Sequence, residues 1–131
     1  EIALALDGNA NTRWKTGRAQ RMGDEVRVEF DKPTDIARVK LSTKQVETDY
    51  PRGLSVLVSY DGKQFKEILH QTDWQGSVNW TEEGLPYLEG QSSVIVDLVS
   101  TGPVKVLKFV QIGAETRFDW SITEIKFYRK K

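Results

Sequence analysis

Apolar and polar residues alternate along several short stretches of the chain, and a period of two is typical of strands that bury one face. The alternation is strict over residues 25–30 and returns over residues 36–41, with a turn at 31–35 between them. Residues 54–60 are followed by Asp61-Gly62, the strongest hairpin-turn signal in the chain. The pattern therefore predicts antiparallel strands joined by tight turns.

Further strands are predicted over residues 65–69, 94–98, 104–112 and 122–128. Residues 70–93 are polar and aromatic without a sustained period, so they are predicted to form a long segment that serves either as a binding loop or as a structural cover. Many short strands bounded by turn residues predict an all-β sandwich or jelly roll rather than a parallel α/β sheet.

The composition excludes several classes of protein. The 131 residues suffice for one domain, and 19 basic residues balance 19 acidic ones, so the chain lacks the electrostatic footprint that binds nucleic acid. There is no cysteine, which excludes disulfides, thiolate metal sites and a cysteine nucleophile. No apolar run approaches the length of a membrane span and no signal peptide precedes Glu1, so we interpret the chain as a mature or excised module of a longer protein.

The first loop, residues 6–14, is rich in short oxygen-bearing side chains. Asp7, Asn9 and Thr12 can turn the backbone so that carbonyls point inward, and with a charged oxygen from Asp7 this suits a hard cation such as calcium. Glu124, near the other end of the chain, is the candidate for a second carboxylate that would tie the termini together. The alternative is an Asx-turn that caps a helix end and binds no ion.

The inventory of catalytic side chains is poor. His70 is the only histidine, and no serine of the nucleophile-elbow type accompanies it. Glu82 and Glu83 are adjacent, whereas paired acids for glycoside hydrolysis need a fixed separation across a cleft. The sequence therefore predicts a domain that binds rather than catalyses.

Three motifs occur in order along the chain, namely Leu6-Asp7-Gly8-Asn9 with Thr12-Arg13-Trp14, then Tyr60-Asp61-Gly62-Lys63-Gln64-Phe65, then Trp120-Ser121-Ile122-Thr123-Glu124. Together they resemble the coagulation factor 5/8 type C, or discoidin, domain. This family overlaps carbohydrate-binding module family 32 and belongs to the galactose-binding-like superfamily. The resemblance covers nearly the whole chain, so residues 1–131 are predicted to form one discoidin-like domain. It implies an eight-stranded antiparallel jelly-roll β-sandwich whose termini lie together.

The resemblance also implies a structural calcium ion held by the first loop and a C-terminal glutamate. Its ligands, carried over residue by residue, are Asp7, Asn9, Thr12 and Glu124, partly through backbone carbonyls. Asp7→Ala or Glu124→Ala is then expected to abolish the change in melting temperature that a chelator produces. The match has gaps, because the usual N-terminal strand is shortened or missing and Gly23-Asp24-Glu25-Val26 stands where an aromatic residue often follows the first polar loop.

For sugar-binding relatives, the resemblance implies ligand contacts from loops at one end of the sandwich, here residues 44–52, 74–83 and 117–120. An aromatic face stacks on the apolar side of a sugar ring, and polar side chains bond to its hydroxyl groups. Trp14 and Trp120 sit beside apolar strand residues and are predicted to belong to the core. Phe118 is the predicted stacking platform, with Tyr50, Trp74 or Trp80 as alternatives. The full set of predicted ligand-binding residues is Gln45, Asp49, Tyr50, Trp74, Asn79, Trp80, Arg117 and Phe118.

The predicted function is that of a non-catalytic carbohydrate-binding module, which recognises a glycan weakly and holds an appended enzyme or surface protein close to it. The alternative is a protein-interaction or spacer module with the same fold and no sugar site. Membrane binding ranks third, because no loop pairs apolar residues with its basic ones. The expected setting is a monomeric domain that is secreted, periplasmic or at the cell surface.

Overall fold

Alternating burial along the strands builds two antiparallel sheets. The fold is given by a computed structural model that describes residues 2–9, 11–72, 74, 77–98 and 102–129. Short 3-10 helices occupy Ile2–Ala5 and Glu47–Asp49. The strands are β1 (Trp14–Lys15), β2 (Glu25–Thr34), β3 (Arg38–Ser42), β4 (Leu54–Ser59), β5 (Lys66–Gln71), β6 (Ser77–Trp80), β7 (Pro86–Glu89), β8 (Ser93–Asp97), β9 (Val104–Gln111), β10 (Ser121–Ile122) and β11 (Glu124–Tyr128).

Two larger sheets and two smaller pairs account for these strands. One sheet has four strands in the order β2-β9-β4-β5, and the other has three in the order β11-β3-β8. Strand β1 pairs with β10, and β6 pairs with β7 as a hairpin; all the pairings are antiparallel. The prediction of an all-β antiparallel sandwich is therefore confirmed. The described residues contain more strands than the eight predicted, because the β1–β10 pair and the hairpin are added to the main sheets.

The hydrophobic core combines residues from both larger sheets. Val26 and Val28 alternate with exposed residues along β2, and Val39 and Leu41 alternate with exposed or half-buried residues along β3. Because side chains of a strand point alternately to its two faces, this pattern gives each sheet one buried face and one solvated face.

Tryptophans from the two ends of the chain extend this core. Trp120 is 0% exposed, and the ring of Trp14 packs edge-on against it with 5.0 Å between the ring centres. Ala5, in the first 3-10 helix, is also fully buried in the same cluster. The prediction that Trp14 and Trp120 belong to the core is confirmed.

The hairpin β6–β7 lies within residues 70–93, for which the sequence predicted no strands. Asn79 pairs with Tyr87, and Trp80 pairs with Pro86. The side chains of Trp80, Pro86 and Tyr87 are exposed. A hairpin that buries so little of itself has no need for an alternating apolar face, so its sequence carries no period of two.

Residues 31–34 differ as well, since strand β2 continues where the sequence predicted a turn. The pairing with β9 is regular as far as Glu29 and then shifts in register before Thr34. Lys105 Nζ donates to the carbonyl oxygens of Phe30 and Asp31 at 2.5 and 2.8 Å within this irregular stretch. A bulged strand accommodates Pro33 there, because the ladder is already interrupted.

The helices of the described residues are two short 3-10 turns, and none is long and apolar enough to cross a membrane.

Candidate functional site

Three loops meet at one end of the sandwich. They comprise residues 16–24, 48–53 and 112–120, and together they are called the three-loop end. Leu54, at the start of β4, pairs with both Gln111 at the end of β9 and Gln71 at the end of β5. Strand β2 begins nearby, because Glu25 pairs with Val110. The sheet topology thus gathers segments that are far apart in the sequence.

Two buried glutamines, Gln20 and Gln111, join these loops, and both are 0% exposed. Gln111 Nε2 donates to Gln20 Oε1 over 2.5 Å, and the same oxygen accepts the Arg52 backbone N–H at 3.1 Å. Gln20 Nε2 donates to the carbonyl oxygens of Tyr50 and Asp119 at 3.1 and 3.2 Å. The Gln20 amide therefore uses both of its N–H groups and both lone pairs of its oxygen, as a buried amide must to offset its desolvation.

Further hydrogen bonds hold loop 112–120 against loop 16–24 on both sides of Phe118. The Gln20 backbone N–H donates to the Phe118 carbonyl at 3.0 Å. The Gly17 N–H donates to the Asp119 carboxylate at 3.0 Å. Thr16 and Trp120 exchange two hydrogen bonds, one between backbone groups and one to the Thr16 hydroxyl. The loop that carries Phe118 is therefore held by partners distant in sequence.

Two arginines flank the half-buried ring of Phe118. The Cζ atoms of Arg52 and Arg117 each lie 5.8 Å from the ring centre. Arg52 also lies 3.8 Å over the ring of Tyr50 and donates to the carbonyl oxygens of Thr48 and Tyr50. Arg117 is exposed. The three-loop end thus presents an aromatic ring beside one fixed cation and one solvent-exposed cation.

Glu115 places an acid beside these cations. Its Oε2 lies 3.3 Å from Arg52 Nη2, and the two side chains are only 20% and 11% exposed. Burial by itself raises the pKa of Glu115, but the backbone N–H groups of Thr116 and Arg117 and the Arg52 cation outweigh it, so the pKa lies below its ordinary value. The carboxylate is therefore ionised at neutral pH, and its Oε2 keeps a lone pair for a further hydrogen bond, whereas Oε1 accepts both backbone N–H groups.

A surface pocket of about 470 Å³ borders the three-loop end, between the 3-10 helix Glu47–Asp49 and the hairpin β6–β7. Gln45, Tyr87 and Glu89 line it. The hairpin lies very close to the helix, since a Cβ atom added to Gly90 would be 1.8 Å from the Glu47 carbonyl oxygen. Gln45 has a backbone φ of 74°, a left-handed conformation that residues other than glycine rarely adopt.

The structure places four of the predicted ligand-binding residues at the three-loop end, namely Asp49, Tyr50, Arg117 and Phe118. Arg117 and Phe118 reach solvent. Asp49 and Tyr50 are 9% and 4% exposed, and Asp49 Oδ2 accepts the Ser121 hydroxyl at 2.5 Å. Tyr50 and Asp49 therefore pack and hold the loop, and their burial leaves no free ring face or carboxylate for a ligand to cover.

The other four predicted residues lie elsewhere. Gln45 is exposed at the neighbouring pocket. Asn79, on the hairpin, donates to Glu89 Oε2. Trp80 is 66% exposed on the same hairpin, whereas Trp74 is half-buried and packs against the core. The sequence-based set thus divides into four residues at the three-loop end, one at the neighbouring pocket, two on the hairpin and one packing residue.

Sequence reasoning did not select Gln20, Gln111 or Glu115. Gln111 offered one signal, because it stands in the apolar-rich stretch 104–112, where a polar side chain needs a partner. Gln20 offered none, since it lies in a loop of polar residues and its burial follows only from the meeting of the three loops.

The first loop gathers oxygen atoms around the Thr12 hydroxyl. Thr12 Oγ1 lies 2.5 Å from Asp7 Oδ2, 3.0 Å from the Asn9 carbonyl oxygen and 3.3 Å from the Leu4 carbonyl oxygen. The hydroxyl has a single proton and can donate it to only one of these acceptors. The Thr12 hydroxyl, with the Asn9 backbone N–H, lowers the pKa of Asp7. Carboxylate, hydroxyl and carbonyl oxygens are the donor set that calcium prefers.

The same loop also contains the Asx-turns of the alternative interpretation. Asp7 Oδ1 accepts the Asn9 N–H, and Asn9 Oδ1 accepts the Asn11 N–H, both at 2.9 Å. The side-chain oxygen of Asn9 is thereby engaged, so its carbonyl is the atom that faces Thr12. Among the described residues, no group of three or more acidic, histidine or cysteine side chains is placed to hold a metal ion.

Glu124 begins β11 and pairs with Ser42 of β3. It lines a small pocket on the three-stranded sheet together with Lys40, Ser42, Lys44 and Lys126. The structure therefore brings Asp7, Asn9 and Thr12 together and gives the fourth predicted calcium ligand a lysine-rich surrounding.

The fold and the loop cluster define a β-sandwich domain with a candidate binding surface at one end. The sequence matches the family model of the F5/8 type C domain over residues 1–104. The chain belongs to this family, as the motifs of the first loop and the Asp61-Gly62 turn predicted. A comparison with curated proteins finds no match.

Solved structures with the same fold include carbohydrate-binding modules of family 32. The family 32 module of Clostridium perfringens NanJ, solved in complex with galactose, has a TM-score of 0.72 and 14% identity over 98% of this chain and 84% of that chain. Chitosan-binding module 1 of a Paenibacillus sp. IK-5 chitosanase/glucanase has a TM-score of 0.67 and 19% identity over 98% of this chain and 84% of that one.

A multidomain structure gives a further match. It contains the CBM32-1, CBM32-2 and M60 catalytic domains of Clostridium perfringens ZmpB, and it has a TM-score of 0.70 and 23% identity over 99% of this chain. This chain spans 13% of the length of that one. These likenesses establish the shared fold.

Proposed function

We propose that this domain is a non-catalytic carbohydrate-binding module whose ligand site is the three-loop end. The observation that carries the proposal is the half-buried Phe118 ring, flanked by Arg52 and Arg117 and held on a buried hydrogen-bond network. An aromatic face beside fixed charged groups is the chemistry that recognises a sugar ring. Two solved structures of the same fold are described as a galactose complex and a chitosan-binding module, which supports the proposal.

Recognition uses two kinds of contact. The ring of Phe118 covers the apolar C–H face of a pyranose, while Arg117 and the carboxylate of Glu115 bond to its hydroxyl groups. Asp49 and Tyr50 act indirectly, because both are buried and hold the loop that carries Arg52. A framework that is already ordered loses little conformational entropy on binding, so a shallow site can still bind usefully.

The side chains around His70 are not arranged for nucleophilic catalysis. His70 Nδ1 lies 3.2 Å from Glu67 Oε2, and the Ser55 hydroxyl donates to the same carboxylate oxygen. A serine nucleophile would need to donate to the imidazole rather than to the carboxylate. The hydrogen bonds to Ser55 and His70 also lower the pKa of Glu67, which makes it a poor general acid.

The module serves to hold a covalently attached partner close to a glycan surface. Weak binding at one shallow site becomes useful when the attached domain shares the same polymer, because the second encounter is then intramolecular. The ZmpB structure joins family 32 modules to a catalytic domain, which supports this arrangement. The attached partner is thus an enzyme or a surface protein, and the domain works outside the cell.

The test is native affinity electrophoresis of wild type and Phe118→Ala in gels that contain soluble plant, algal or animal polysaccharides. Wild type is expected to be retarded by at least one polysaccharide, and Phe118→Ala to lose about tenfold or more in affinity, because the stacking face is removed. Phe65→Ala is the matched control. Phe65 is also half-buried, but it lies near Arg27 and Lys108 on the four-stranded sheet.

Equal retardation of wild type and Phe118→Ala would contradict the assignment of the platform. The hairpin then becomes the site of interest, because Trp80, Leu85 and Tyr87 are 66, 63 and 46% exposed on it. These side chains favour the alternative of a protein-interaction module. No retardation by any polysaccharide, with Trp80→Ala abolishing capture of a protein partner, would replace the proposed function by that alternative.

We also propose that the first loop holds a structural calcium ion through Asp7 Oδ2, Thr12 Oγ1 and the carbonyl oxygens of Leu4 and Asn9. Glu124 supplies the second carboxylate. Strand β1 pairs Trp14 with Ile122, so the first loop and Glu124 each lie close in sequence to this pair, which supports the choice of Glu124. The ion supplies charge neutralisation and cross-links the two ends of the domain, while the loop residues orient its ligands.

Calcium is expected to raise the melting temperature of the wild type, by the equivalent of about 2.7 kcal/mol when the ion exceeds its Kd a hundredfold. Asp7→Ala is expected to abolish this shift. Asp61→Ala is the matched control, since Asp61 also accepts backbone N–H groups in an exposed turn and its pKa is lowered in the same way. A calcium shift retained by Asp7→Ala would exclude this loop as the site, and one retained by Glu124→Gln would remove Glu124 from the ligand set.

A further inference from the structure

The outer face of the three-stranded sheet carries a group of lysines. Val39, Leu41 and Ile125 point into the core, so the residues between them on β3 and β11 point outward. A pocket of about 210 Å³ lies on this face. We call the surface the lysine face; its residues are Lys40, Ser42, Lys44, Glu124 and Lys126.

Two of these lysines oppose each other directly. The register of β11 against β3 pairs Lys126 with Lys40, and like charges at directly opposed positions destabilise a sheet. Neither lysine, nor Lys44, has an acidic partner within ion-pair distance among the described residues. Arg38, on the same face of β3, does have one, since Arg38 Nε lies 2.7 Å from Asp97 Oδ1. The sheet therefore carries two directly opposed lysines that form no ion pair, close to an arginine that does.

We infer that the lysine face is a second binding site, distinct from the three-loop end, that receives a sulfate or carboxylate group of an anionic glycan. The anionic group lies between Lys40 and Lys126, and Lys44 is the third lysine beside it. Each lysine offers three N–H donors and a full positive charge, so an anion placed between them replaces their repulsion by attraction. Hydroxyl groups of the same sugar bond to Ser42.

The mixed lining favours a sugar over other polyanions. Glu124 repels the closely spaced phosphates of a nucleic acid. The whole chain has a net charge of zero, so it lacks the long-range field that attracts nucleic acid. A membrane surface would call for apolar residues inserted from a loop tip, whereas Lys40 and Lys126 stand on the face of a sheet.

The lysine face connects to the three-loop end through the chain itself. Lys44 follows β3 and opens the segment that leads to Tyr50 and Arg52. The choice of a glycan as ligand rests on the proposed function. Binding of the anionic group nevertheless depends on the lysines alone, so the two sites can be tested separately.

The experiment measures retardation of wild type and of the double variant Lys40→Gln/Lys126→Gln in gels containing dextran sulfate or unsulfated dextran. The double variant is expected to bind dextran sulfate about fivefold more weakly, with a shallower dependence of affinity on salt. The matched control is Lys63→Gln/Lys66→Gln. It removes the same charge from two exposed lysines elsewhere, and it is expected to bind like the wild type. Unsulfated dextran corrects for any binding that does not depend on sulfate.

Three results would overturn the inference. Equal loss of dextran sulfate binding in both double variants would mean that net charge, rather than this face, attracts the polymer. Unchanged binding in Lys40→Gln/Lys126→Gln would exclude the face as a site. Retention on immobilised double-stranded DNA that falls in the same variant as strongly as on dextran sulfate would replace the sugar by a general polyanion.

Two further variants separate this inference from the rest. Phe118→Ala is expected to keep its dextran sulfate binding even where it loses binding to an uncharged glycan. The dextran sulfate result therefore tests the lysine face even if the proposed function is wrong. Lys40→Gln/Lys126→Gln is expected to melt at or above the temperature of the wild type, because a repulsion is removed. A lower melting temperature would show that the lysines stabilise the sheet as they stand, and would contradict the inference.

Discussion

Replacing Gln20 by alanine is expected to lower the free energy of unfolding by about 3 kcal/mol and to abolish glycan binding at the three-loop end. The Gln20 side chain makes four hydrogen bonds, to Tyr50, Asp119, Arg52 and Gln111, in a place with no access to solvent. Removing it leaves buried groups of three different segments without that partner, and each such group costs about 1–3 kcal/mol unless water enters. Thermal and urea unfolding measure the loss of stability, which corresponds to a fall of about 10 °C in Tm.

Gln20→Met separates hydrogen bonding from packing, because methionine fills a similar volume without an amide. It is expected to destabilise the domain nearly as much as alanine, whereas Gln64→Ala, at an exposed glutamine, is expected to change the stability by less than about 0.5 kcal/mol. If Gln20→Met were as stable as wild type, the Gln20 side chain would stabilise the domain by packing and not by its hydrogen bonds. The three loops would then be joined by their backbone hydrogen bonds.

The strands of the two larger sheets could be predicted because each buries one face. The alternation over residues 25–30 and 36–41 corresponds to β2 and β3, and residues 104–112 correspond to β9. The predicted boundaries mostly differ from the observed ones by one or two residues, since the end of a strand depends on its partner. The main error at a boundary is residues 31–34, where the Pro33 turn signal is overridden by a continuing, irregular strand.

The hairpin β6–β7 could not be predicted from periodicity. Its strands expose Trp80, Pro86 and Tyr87, so the burial that produces a readable pattern is missing. Its position depends on Gly90, where close approach to Glu47 leaves no room for a side chain. A glycine in a polar stretch reads equally well as a turn, and only the three-dimensional contact separates the two.

The candidate site was predicted only in part, because some of its contacts join residues that are far apart in the sequence. Phe118 and Arg117 lie in the loop between the last strand of one sheet and the closing strands, a position that the family resemblance implied. Gln20 contacts Gln111 across 91 residues, and a pairing of that kind leaves no local trace in a single sequence. The buried hub that holds Phe118 in place therefore had to come from the structure.

The predicted roles of Asp49 and Tyr50 changed for a related reason. Both lie in a polar loop that reads as solvent-exposed, yet the 3-10 helix Glu47–Asp49 turns them inward, where Asp49 meets Ser121 and Tyr50 meets Arg52. A charged side chain becomes buried when a partner from a distant segment satisfies it. Asp49 and Tyr50 still matter for the proposed site, because they hold Arg52 beside Phe118.

Gly90→Ala is expected to destabilise the domain by about 3 kcal/mol and to alter the pocket lined by Gln45 and Tyr87. The added Cβ would stand 1.8 Å from the Glu47 carbonyl oxygen, and a backbone atom cannot turn aside as a flexible side chain can. The hairpin must therefore move away from the 3-10 helix and lose the hydrogen bond from the Gln91 N–H to Glu47.

Gly102→Ala provides the control for Gly90→Ala, because the nearest atom to an added Cβ at Gly102 is 3.8 Å away, on the ring of Tyr60. That change is expected to be neutral, or slightly stabilising through the unfolded state. Urea unfolding compares the two variants, and limited proteolysis tests whether cleavage of Gly90→Ala increases within residues 77–89. Wild-type stability of Gly90→Ala would show that the hairpin packs against the sandwich loosely enough to shift without cost. In that case the pocket of about 470 Å³ would be a deformable surface, and Gln45 and Tyr87 could not act as a preformed site.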